Sequence, residues 1–485
     1  MQHFIEIAYS VHDYSKNYHE YLGISLVSVM ENTKEQLRFH ILCDKTLTDT
    51  AREELSGICE GYGQKVNFYD IELDERIDIP SLLTSGYSEG ILYRLYLPEL
   101  LPDISRIIYL DVDIIANGDI RDLWEFDLSG CSVAGRWDPP LVGYKPLEPE
   151  AFERAMPFWE STDWNRYINS GVLVMDLDRI RNVHRLLEEA IDFWNRYGMI
   201  LPDQDVLNFS LRDEKCLIPI RFNLPNRRAT LLENGFFYHY TYQQEMADKL
   251  DPIDKQILAY WEKTPFFKPG YGKKEKILYL RRIKSRKEVY ERLSKIRPLN
   301  NDEILGCARS LFLSGDFREL KDYLSEKMNE ISIESEYADS RPMQLNLTFY
   351  LARACKELGE TQEAVEVLER SVSYSADSSY INQSAREMSQ RYYLGDAYYD
   401  NGQYQKAQQM YLSCLYFGTE EKMEIAVRAL SRLIKCEIKM EQILSAKEHL
   451  GMLMSIVPAS DEAKLWKFQI ELADRKIKKR KAHEE

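Results

Sequence analysis

The sequence predicts an α/β domain followed by an all-α domain of helical repeats. From residue 1 to about 270, short apolar runs alternate with helical patterns, which is the rhythm of alternating strands and helices. From about residue 301 the strand patterns disappear and a degenerate helix-turn-helix repeat takes over. A length of 485 residues is too great for one core. We therefore predict a first domain at 1–270, a connecting segment at 271–300 and a repeat domain at 301–485.

Seven short apolar runs in the first domain are predicted strands. They are Phe4–Ala8, Arg38–Cys43, Lys65–Tyr69, Arg106–Leu110, Ser132–Ala134, Gly171–Met175 and Phe236–His239. Between the first two runs, apolar residues recur at helical spacing and predict a helix at Tyr21–Glu31. The alternation of strands and helices is typical of α/β folds, whose ligands bind beyond the carboxyl ends of the strands.

The connecting segment is strongly basic. Residues 272–297 contain eleven Lys or Arg against three Glu, and Ile277, Leu280 and Ile283 recur at helical spacing. One interpretation is a solvated connecting helix. The other is a surface that contacts anionic lipid headgroups, which would place the protein at the inner face of a membrane.

Four helix-turn-helix units are predicted in the repeat domain. Their turn regions are Leu311–Phe317, Cys355–Thr361, Ala397–Tyr404 and Cys436–Gln442. In two of them a turn glycine, Gly359 or Gly402, precedes a small residue, Ala364 or Ala407, by five positions. The spacing near 40 residues exceeds the roughly 34 of tetratricopeptide repeats. We interpret this half as a tetratricopeptide-type solenoid that holds an acceptor or a partner protein, with a plain helical bundle as the alternative.

Composition excludes some classes of partner and location. The net charge of −16 argues against nucleic acid, because phosphate binding needs a basic face. The eight cysteines contain no Cys-x-x-Cys pair and mostly lie in apolar stretches, which indicates buried thiols in a reducing compartment. Neither a signal peptide nor an apolar run of ~18 residues is evident. We therefore expect a cytoplasmic protein.

Two carboxylates interrupt the apolar run from Arg106 to Ala116. Asp111 and Asp113 follow a β-rich stretch, and the chain then continues into a loop signal, Ala-Asn-Gly-Asp119. Because an unpaired buried carboxylate is costly, we predict that the strand ends here and presents both groups at the carboxyl edge of the sheet. Such oxygen ligands suit Mg²⁺ or Mn²⁺ bridging a diphosphate. A phosphatase-type Asp-x-Asp does not fit, since that pair normally lies on the first strand of the chain.

The stretch Tyr109-Leu-Asp-Val-Asp-Ile-Ile resembles the metal-binding motif of the family 8 glycosyltransferases, which include bacterial lipopolysaccharide galactosyl- and glucosyltransferases and glycogenin. Further segments match the family in order and spacing over about residues 3–267, namely Tyr93–Leu95, Asn169–Met175, Pro202–Asn208, Arg221–Asn223, Tyr238–Thr241 and Tyr260–Phe266. The resemblance implies a GT-A fold, a UDP-hexose donor (UDP-galactose or UDP-glucose), a divalent cation and retention of anomeric configuration. The implied acceptor is a hydroxyl group of a glycan or glycoprotein.

The resemblance also implies roles for individual residues. Asp111, Asp113 and His239 would bind the metal, and a set that mixes oxygen with imidazole favours Mn²⁺ over Mg²⁺. The donor-site positions implied are Ala8, Asp13, Asn17 and Tyr18 around the uridine, Arg94 at the diphosphate or sugar, Val112 between the two aspartates, and Asp138, Asn169, Ser170, Asp203 and Gln204 around the hexose. Asp203 and Gln204 are the implied catalytic positions, and the amide of Gln204 favours front-face transfer without a covalent intermediate. The remaining pair, Asp176 and Asp178, is interpreted as a strand-to-helix cap.

The sequence departs from the family after His239. The family usually continues with Gly-x-x-Lys-Pro-Trp, whose lysine holds the diphosphate, whereas this chain reads Tyr242-Gln-Gln-Glu-Met-Ala-Asp-Lys249. Either Lys249 replaces that lysine from a longer loop or the lysine is missing. A non-catalytic scaffold with a degenerate nucleotide-sugar domain is the alternative function, and the set of matching residues, including Asn169 and Gln204, argues against it.

Overall fold

The computed structural model of the protein divides into two compact units, Met1–Ser314 and Gly315–Glu485. It describes residues 4–138, 149–225, 237–239, 252–272, 275–276, 279, 286–334, 341–374, 385–415, 420–457 and 461–484. The division predicted from sequence, at residues 270 and 300, stays a prediction. Within the described residues, no helix has both the length and the apolar character that crossing a bilayer requires.

The first unit is built around a mixed β-sheet. Its strands are β1 Ile5–Val11, β2 Leu37–Cys43, β3 Lys65–Asp70, β4 Arg106–Leu110, β5 Ile114–Ala116, β6 Val133–Trp137, β7 Ile168–Asp176, β8 Lys215–Ile218, β9 Leu224–Pro225 and β10 Phe237–His239. Seven of these strands form one sheet in the order β3-β2-β1-β4-β7-β6-β8, and a smaller sheet has the order β5-β10-β9. All seven predicted strands are confirmed, except that Phe236 lies outside the described residues.

The direction of the strands determines which residues meet at one edge of the large sheet. Strand β7 runs antiparallel to β4 and β6, whereas β1 runs parallel to β4. The carboxyl ends of β1, β4 and β6 therefore lie at the same edge as the amino end of β7. This edge carries the residues that follow Val11, Leu110 and Trp137 together with those that begin at Ile168.

Helices cover both faces of the sheet. They are α1 Tyr18–Glu31, α2 Asp49–Gly61, α3 Ile79–Thr84, α4 Leu97–Leu100, α5 Arg121–Trp124, α6 Pro149–Ser161, α7 Leu177–Val183, α8 Leu186–Tyr197, α9 Pro202–Ser210, α10 Pro252–Trp261, α11 Lys287–Ser294 and α12 Asn301–Ser314, with 3₁₀ turns at Glu89–Tyr96, Trp164–Arg166 and Ile220–Phe222. One apolar cluster packs β1 and β2 against α1 and α2, and a second packs β7 against α8 and α9. Helix α1 begins three residues before the predicted Tyr21, because Asp13 accepts a hydrogen bond from the Tyr18 backbone N–H.

Two expectations from the sequence are corrected by the first unit. The expectation of buried thiols is wrong for Cys131 and Cys216, which form a disulfide: Cys216 lies in β8 and Cys131 lies just before β6, the parallel neighbour of β8. The expectation of a solvated connecting helix is wrong for α11, in which Val289 and Leu293 are buried against Leu83.

The second unit consists of paired helices. They are α13 Phe317–Glu334, α14 Arg341–Glu357, α15 Thr361–Tyr374, α16 Ala385–Asp400, α17 Tyr404–Leu412, α18 Glu420–Lys439, α19 Ile443–Ile456 and α20 Asp461–Glu484. Gly359 and Gly402 adopt positive φ values of 79° and 75° at the predicted turns, and Glu441 takes a similar conformation at 60° in the next turn. Ala364 and Ala407 are buried where helices cross. Alternate helices also pack in series: α14 packs on α16, α16 on α18 and α18 on α20. This stacking confirms a tetratricopeptide-like solenoid.

Candidate active site

A cleft of about 440 Å³ lies at the edge of the sheet where β1 and β4 end and β7 begins. The volume falls in the range of small-ligand sites. Among the residues that the structure describes, its lining includes ten of those predicted for the donor and metal, namely Tyr18, Arg94, Asp111, Val112, Asp113, Asn169, Ser170, Asp203, Gln204 and His239. Most of the predicted site residues therefore lie together at this edge of the sheet.

Three potential metal ligands converge in this cleft. The ligand atoms of Asp111, Asp113 and His239 all lie within 4.8 Å of one another. His239 Nε2 is 3.2 Å from Asp113 Oδ1 and 3.7 Å from Asp111 Oδ2. The short strand β5 explains this arrangement, because it pairs antiparallel with β10 and places His239 opposite Ile114. The loop predicted at the Ala-Asn-Gly-Asp119 signal is present from Asn117, whereas the short strand β5 before it was not predicted, because its partner strand is distant in the chain.

The orientation of the His239 ring suits metal binding. Its Nδ1 is 3.0 Å from Asn223 Oδ1, while the Asn223 amide nitrogen donates to Asn169 Oδ1 at 2.8 Å. Because the carbonyl oxygen of Asn223 can only accept, it requires the His239 proton on Nδ1, which leaves the lone pair of Nε2 facing the carboxylates. A hydrogen bond that fixes the tautomer in this way is usual for histidines that bind metals. Asn223 therefore orients the His239 ring, a role that the sequence did not reveal.

The charges in the cleft also fit a cation. Desolvation raises the pKa of Asp111, Arg94 and His239 lower it, and the neighbouring carboxylates Asp113 and Asp203 raise it, with a net upward shift. Like charges crowded at this distance disfavour simultaneous ionisation. A divalent cation would relieve that repulsion, and carboxylates with an imidazole form a reasonable donor set for Mn²⁺.

Arg94 lies beneath the carboxylates rather than on the open surface of the cleft. Its side chain is 3% exposed and donates to Asp111 Oδ1 at 2.8 Å and to the Ser170 carbonyl at 2.6 Å. It is also 3.1 Å from Asp203 Oδ2 and packs 4.3 Å from the Tyr109 ring centre. Because its charge is paired inside the protein, Arg94 orients two acidic groups of the site.

A network of amides occupies the far side of the cleft. Asn169 Nδ2 donates to Gln204 Oε1 at 3.0 Å, and the Ser170 backbone N–H donates to the same oxygen at 3.2 Å. Gln204 Nε2 lies 3.2 Å from Asp138 Oδ2 and 3.4 Å from the Tyr167 hydroxyl. The network fixes the side chain of Gln204 at the amino end of α9, with its carbonyl held by two donors.

The other Asp-x-Asp pairs have different surroundings. Asp203 faces the cleft, whereas Asp205 is buried and accepts a hydrogen bond from the Tyr167 hydroxyl at 2.6 Å. Burial raises the pKa of Asp205 to about 7, despite hydrogen bonds that lower it. The predicted cap is confirmed, since Asp176 Oδ1 accepts from the Arg179 backbone N–H at 2.9 Å at the start of α7.

Several predicted donor residues do not line the described part of the cleft. Ala8 is fully buried within β1, and Ser10 and His12 occupy the cleft instead. Both carboxylate oxygens of Asp13 are used within the protein, by the Tyr18 backbone N–H and the His19 ring at 2.7 Å each. Asn17 and Asp138 are half-buried beside the lining residues, and Lys249 lies outside the described residues.

Other residues of the cleft were not predicted. They include Ser10, His12, Tyr87, Gly171, Arg286, Glu288 and Val289. Gly171 lies in one of the segments that match the family but had no predicted role, although a glycine near the start of a strand is a signal of close backbone approach. For residues 286–289 the local sequence contains no such signal, because the segment reads as a basic connector.

Parts of this chain are similar to known protein families and to individual known proteins. Residues 10–232 match the profile named Glycosyl transferase family 8, and residues 350–378 match a Tetratricopeptide repeat profile. The chain is 25% identical over 209 residues to a putative glycosyltransferase of Haemophilus influenzae, which covers 42% of this chain and 60% of that relative. It is 26% identical over 259 residues to the lipopolysaccharide 1,2-glucosyltransferase of Escherichia coli, covering 53% of this chain and 68% of the relative. The solved structure of galactosyltransferase LgtC with donor and acceptor sugar analogues is 18% identical with a TM-score of 0.44, covering 55% of this chain and 98% of that chain.

Substitution of Gly171 tests the packing of the metal ligands. A Cβ atom at this position would lie 2.4 Å from His239 Cε1 and 2.8 Å from Asp111 Oδ2, both too close for real contacts. We expect Gly171→Ala to displace these ligands and to weaken Mn²⁺ binding about 10- to 100-fold, measured by isothermal titration calorimetry.

The matched control is Gly57→Ala in α2, where a Cβ atom meets nothing within 4 Å. This variant should bind Mn²⁺ like the wild type and gain a few tenths to about 1 kcal/mol of stability from helix propensity. Unchanged Mn²⁺ affinity in a folded Gly171→Ala variant would contradict the assignment of these three ligands.

Proposed function

We propose that this chain, whose residues 10–232 belong to glycosyltransferase family 8, transfers a hexose from a UDP-hexose to a hydroxyl group of a glycan or glycoprotein acceptor. The first unit has the α/β architecture of the GT-A fold, and the second is tetratricopeptide-like. The observation that carries the proposal is the convergence of Asp111, Asp113 and His239 in a cleft of donor size. A divalent cation and retention of anomeric configuration are part of the proposal.

Asp111, Asp113 and His239 would hold the cation, and Asn223 would keep the imidazole of His239 in the binding tautomer. Mn²⁺ is the preferred ion, and Mg²⁺ is the alternative. When bound, the cation would neutralise charge on the leaving diphosphate, a contribution of several kcal/mol to the transition state. The mixed set of ligands is what supports this role.

The amide network supports transfer without a covalent intermediate. Gln204 is a poor nucleophile, and its carbonyl is held by Asn169 and Ser170. The nearby carboxylates are paired with arginines, Asp203 with Arg94 at 3.1 Å and Asp138 with Arg136 at 2.8 Å. Ion pairing lowers the nucleophilicity of both carboxylates. We therefore propose a front-face reaction in which Gln204 and Asn169 orient the hexose, and a departing phosphate oxygen accepts the proton of the acceptor hydroxyl.

Galactose and glucose remain two options for the donor sugar. Asn169 and Ser170 offer polar groups to either hexose, and the relatives named above include a glucosyltransferase and a galactosyltransferase. We assign the second unit to binding of the acceptor or a partner protein. Among its described residues Cys355, Glu360 and Glu363 are close enough to hold a metal, but Glu360 and Glu363 are already paired with Lys321.

Removal of charge at the metal site tests the proposed catalysis. Asp111→Asn or Asp113→Asn should lower kcat/KM for transfer at least ~10²-fold, because each removes one negative ligand. Asp178→Asn is the matched control, since this residue of another Asp-x-Asp pair is 58% exposed and does not line the cleft. Near-normal activity in either active-site variant, measured as UDP release with UDP-hexose and Mn²⁺, would overturn the assignment.

The stereochemistry of the product tests the proposed retention of configuration. An α-linked UDP-hexose should give an α-linked product, because front-face transfer retains the configuration. The coupling constant of the anomeric proton in the purified product distinguishes the two anomers. A β-linked product would be incompatible with the proposed reaction and with retention.

Truncation after Ser314 tests the role of the second unit. A cut after residue 270 is unsuitable, because Arg286, Glu288 and Val289 line the cleft of the first unit. Residues 1–314 should keep slow hydrolysis of UDP-hexose but lose most transfer to a macromolecular acceptor, provided that circular dichroism shows a folded chain. Full transfer by the truncated chain would leave the repeats an assembly or stability role instead.

A further inference from the structure

One wall of the cleft comes from a segment beyond the family 8 match. That match ends at residue 232, whereas Arg286, Glu288 and Val289 line the cleft at the start of α11. On the described residues these three side chains face the same space as Tyr18 and Asp113. The nucleotide site proposed above is therefore completed by residues that follow the matched domain in the chain.

Ion pairs hold this wall in place. His12 Nε2 is 2.9 Å from Glu288 Oε1, and His12 Nδ1 is 3.1 Å from Asp44 Oδ2. Arg292 forms a bidentate pair with Glu89, at 2.6 and 2.7 Å. Burial lowers the pKa of His12, but the hydrogen bonds to Asp44 and Glu288 and the charges of Glu288 and Glu89 raise it to about 9. A protonated His12 thus attracts α11 to the loop after β1 at neutral pH.

Apolar contacts add to the ion pairs. Val289 and Leu293 pack in one cluster with Leu83 of α3, and Leu293 is 1% exposed. Since both faces of the contact are buried, α11 is a fixed part of the first unit. The position of Arg286, directly before this helix, is fixed with it.

The cleft contains more negative than positive groups. Its described lining carries the carboxylates of Asp111, Asp113, Asp203 and Glu288. Arg94 and Arg286 are its arginines, and no lysine is among the described lining residues. Because Arg94 is buried in ion pairs with Asp111 and Asp203, its charge is already balanced inside the protein.

Arg286 is more accessible to solvent than Arg94. Its side chain is exposed, and its guanidinium carbon lies 5.2 Å from the centre of the Tyr87 ring, another lining residue. Burial raises the pKa of Tyr18 to about 12, the charge of Asp113 adds to this effect, and the charge of Arg286 opposes it. Arg286 and Tyr18 therefore interact electrostatically in the same cleft.

We propose that Arg286 binds the diphosphate of the nucleotide donor. The inference rests on the proposed function and names one side chain that would bind the diphosphate in that site. A planar guanidinium donates two parallel hydrogen bonds to phosphate oxygens, and Tyr87 limits the positions it can take. Arg286 would thus provide the positive charge for the diphosphate that the family resemblance leads us to expect from a lysine after His239. That lysine is absent at its usual position in this sequence.

The test compares UDP with uridine, which differ by the diphosphate. Binding of each to the full chain with Mn²⁺ is measured by isothermal titration calorimetry. Arg286→Gln should weaken UDP binding at least about tenfold and leave uridine binding unchanged, because a charged hydrogen bond to phosphate is lost. Arg286→Lys should retain part of the UDP affinity, since lysine keeps the charge without the fork geometry.

Two further variants complete the comparison. Lys295→Gln removes one positive charge at the other end of α11, on an exposed residue that does not line the cleft, and should bind UDP like the wild type. Lys249→Gln examines the alternative cation, and UDP binding to this variant should also be unchanged. If Lys249→Gln loses UDP affinity while Arg286→Gln does not, the inference is wrong.

The outcomes separate the inference from the proposed function. Absence of UDP binding to the wild type would refute the proposed function itself. UDP binding by the wild type with no change in Arg286→Gln would refute only the role of Arg286. An equal loss of UDP and uridine affinity would also refute it, because the residue would then support the wall rather than bind phosphate.

Discussion

The site depends on the repulsion between Asp111 and Asp113 at the edge of the sheet and on the imidazole that faces them. Strand β4 ends at Leu110 and the two carboxylates follow it at this edge of the sheet, where the Asp111 backbone N–H still donates to the Gly171 carbonyl of β7 at 2.8 Å. The pairing of β5 with β10 then places His239 within 3.2 Å of Asp113. Without that small sheet, the acidic pair would have no imidazole facing it.

This constraint extends outward through polar contacts. His239 is oriented by Asn223, Asn223 by Asn169, and Asn169 in turn donates to Gln204. A single chain of amides thus joins the metal ligands to the residues proposed to orient the hexose. Each amide side chain is held in one orientation by its hydrogen bond to the next. A substitution at one end of this chain of amides is therefore expected to change the orientation of the side chains at the other end. Arg94 adds a second connection, through its ion pairs with Asp111 and Asp203.

The sequence predicted the parts of the site that depend on local pattern. The end of β4 before Asp111 and the cap at Asp176 follow from the cost of burying carboxylates and from helix-end chemistry, and both are present. The residues that sequence reasoning placed differently depend on distant partners. Asp13 was expected at the uracil, but its oxygens hold the start of α1. Strand β5 and the Cys131–Cys216 disulfide were missed because their partners are far away in the chain.

The wall formed by α11 illustrates the same limit on a larger scale. In the sequence, residues 272–297 are notable only for their positive charge, which suggests a solvated or lipid-facing connector. In the structure, Glu288 lies next to His12 and Arg292 next to Glu89, so the charges of this segment are matched by charges on the first unit. This match of charges depends on how the chain brings α11 next to His12 and Glu89, and neither stretch of sequence shows it alone. The family match ends at residue 232, whereas the lining of the cleft includes described residues beyond that point.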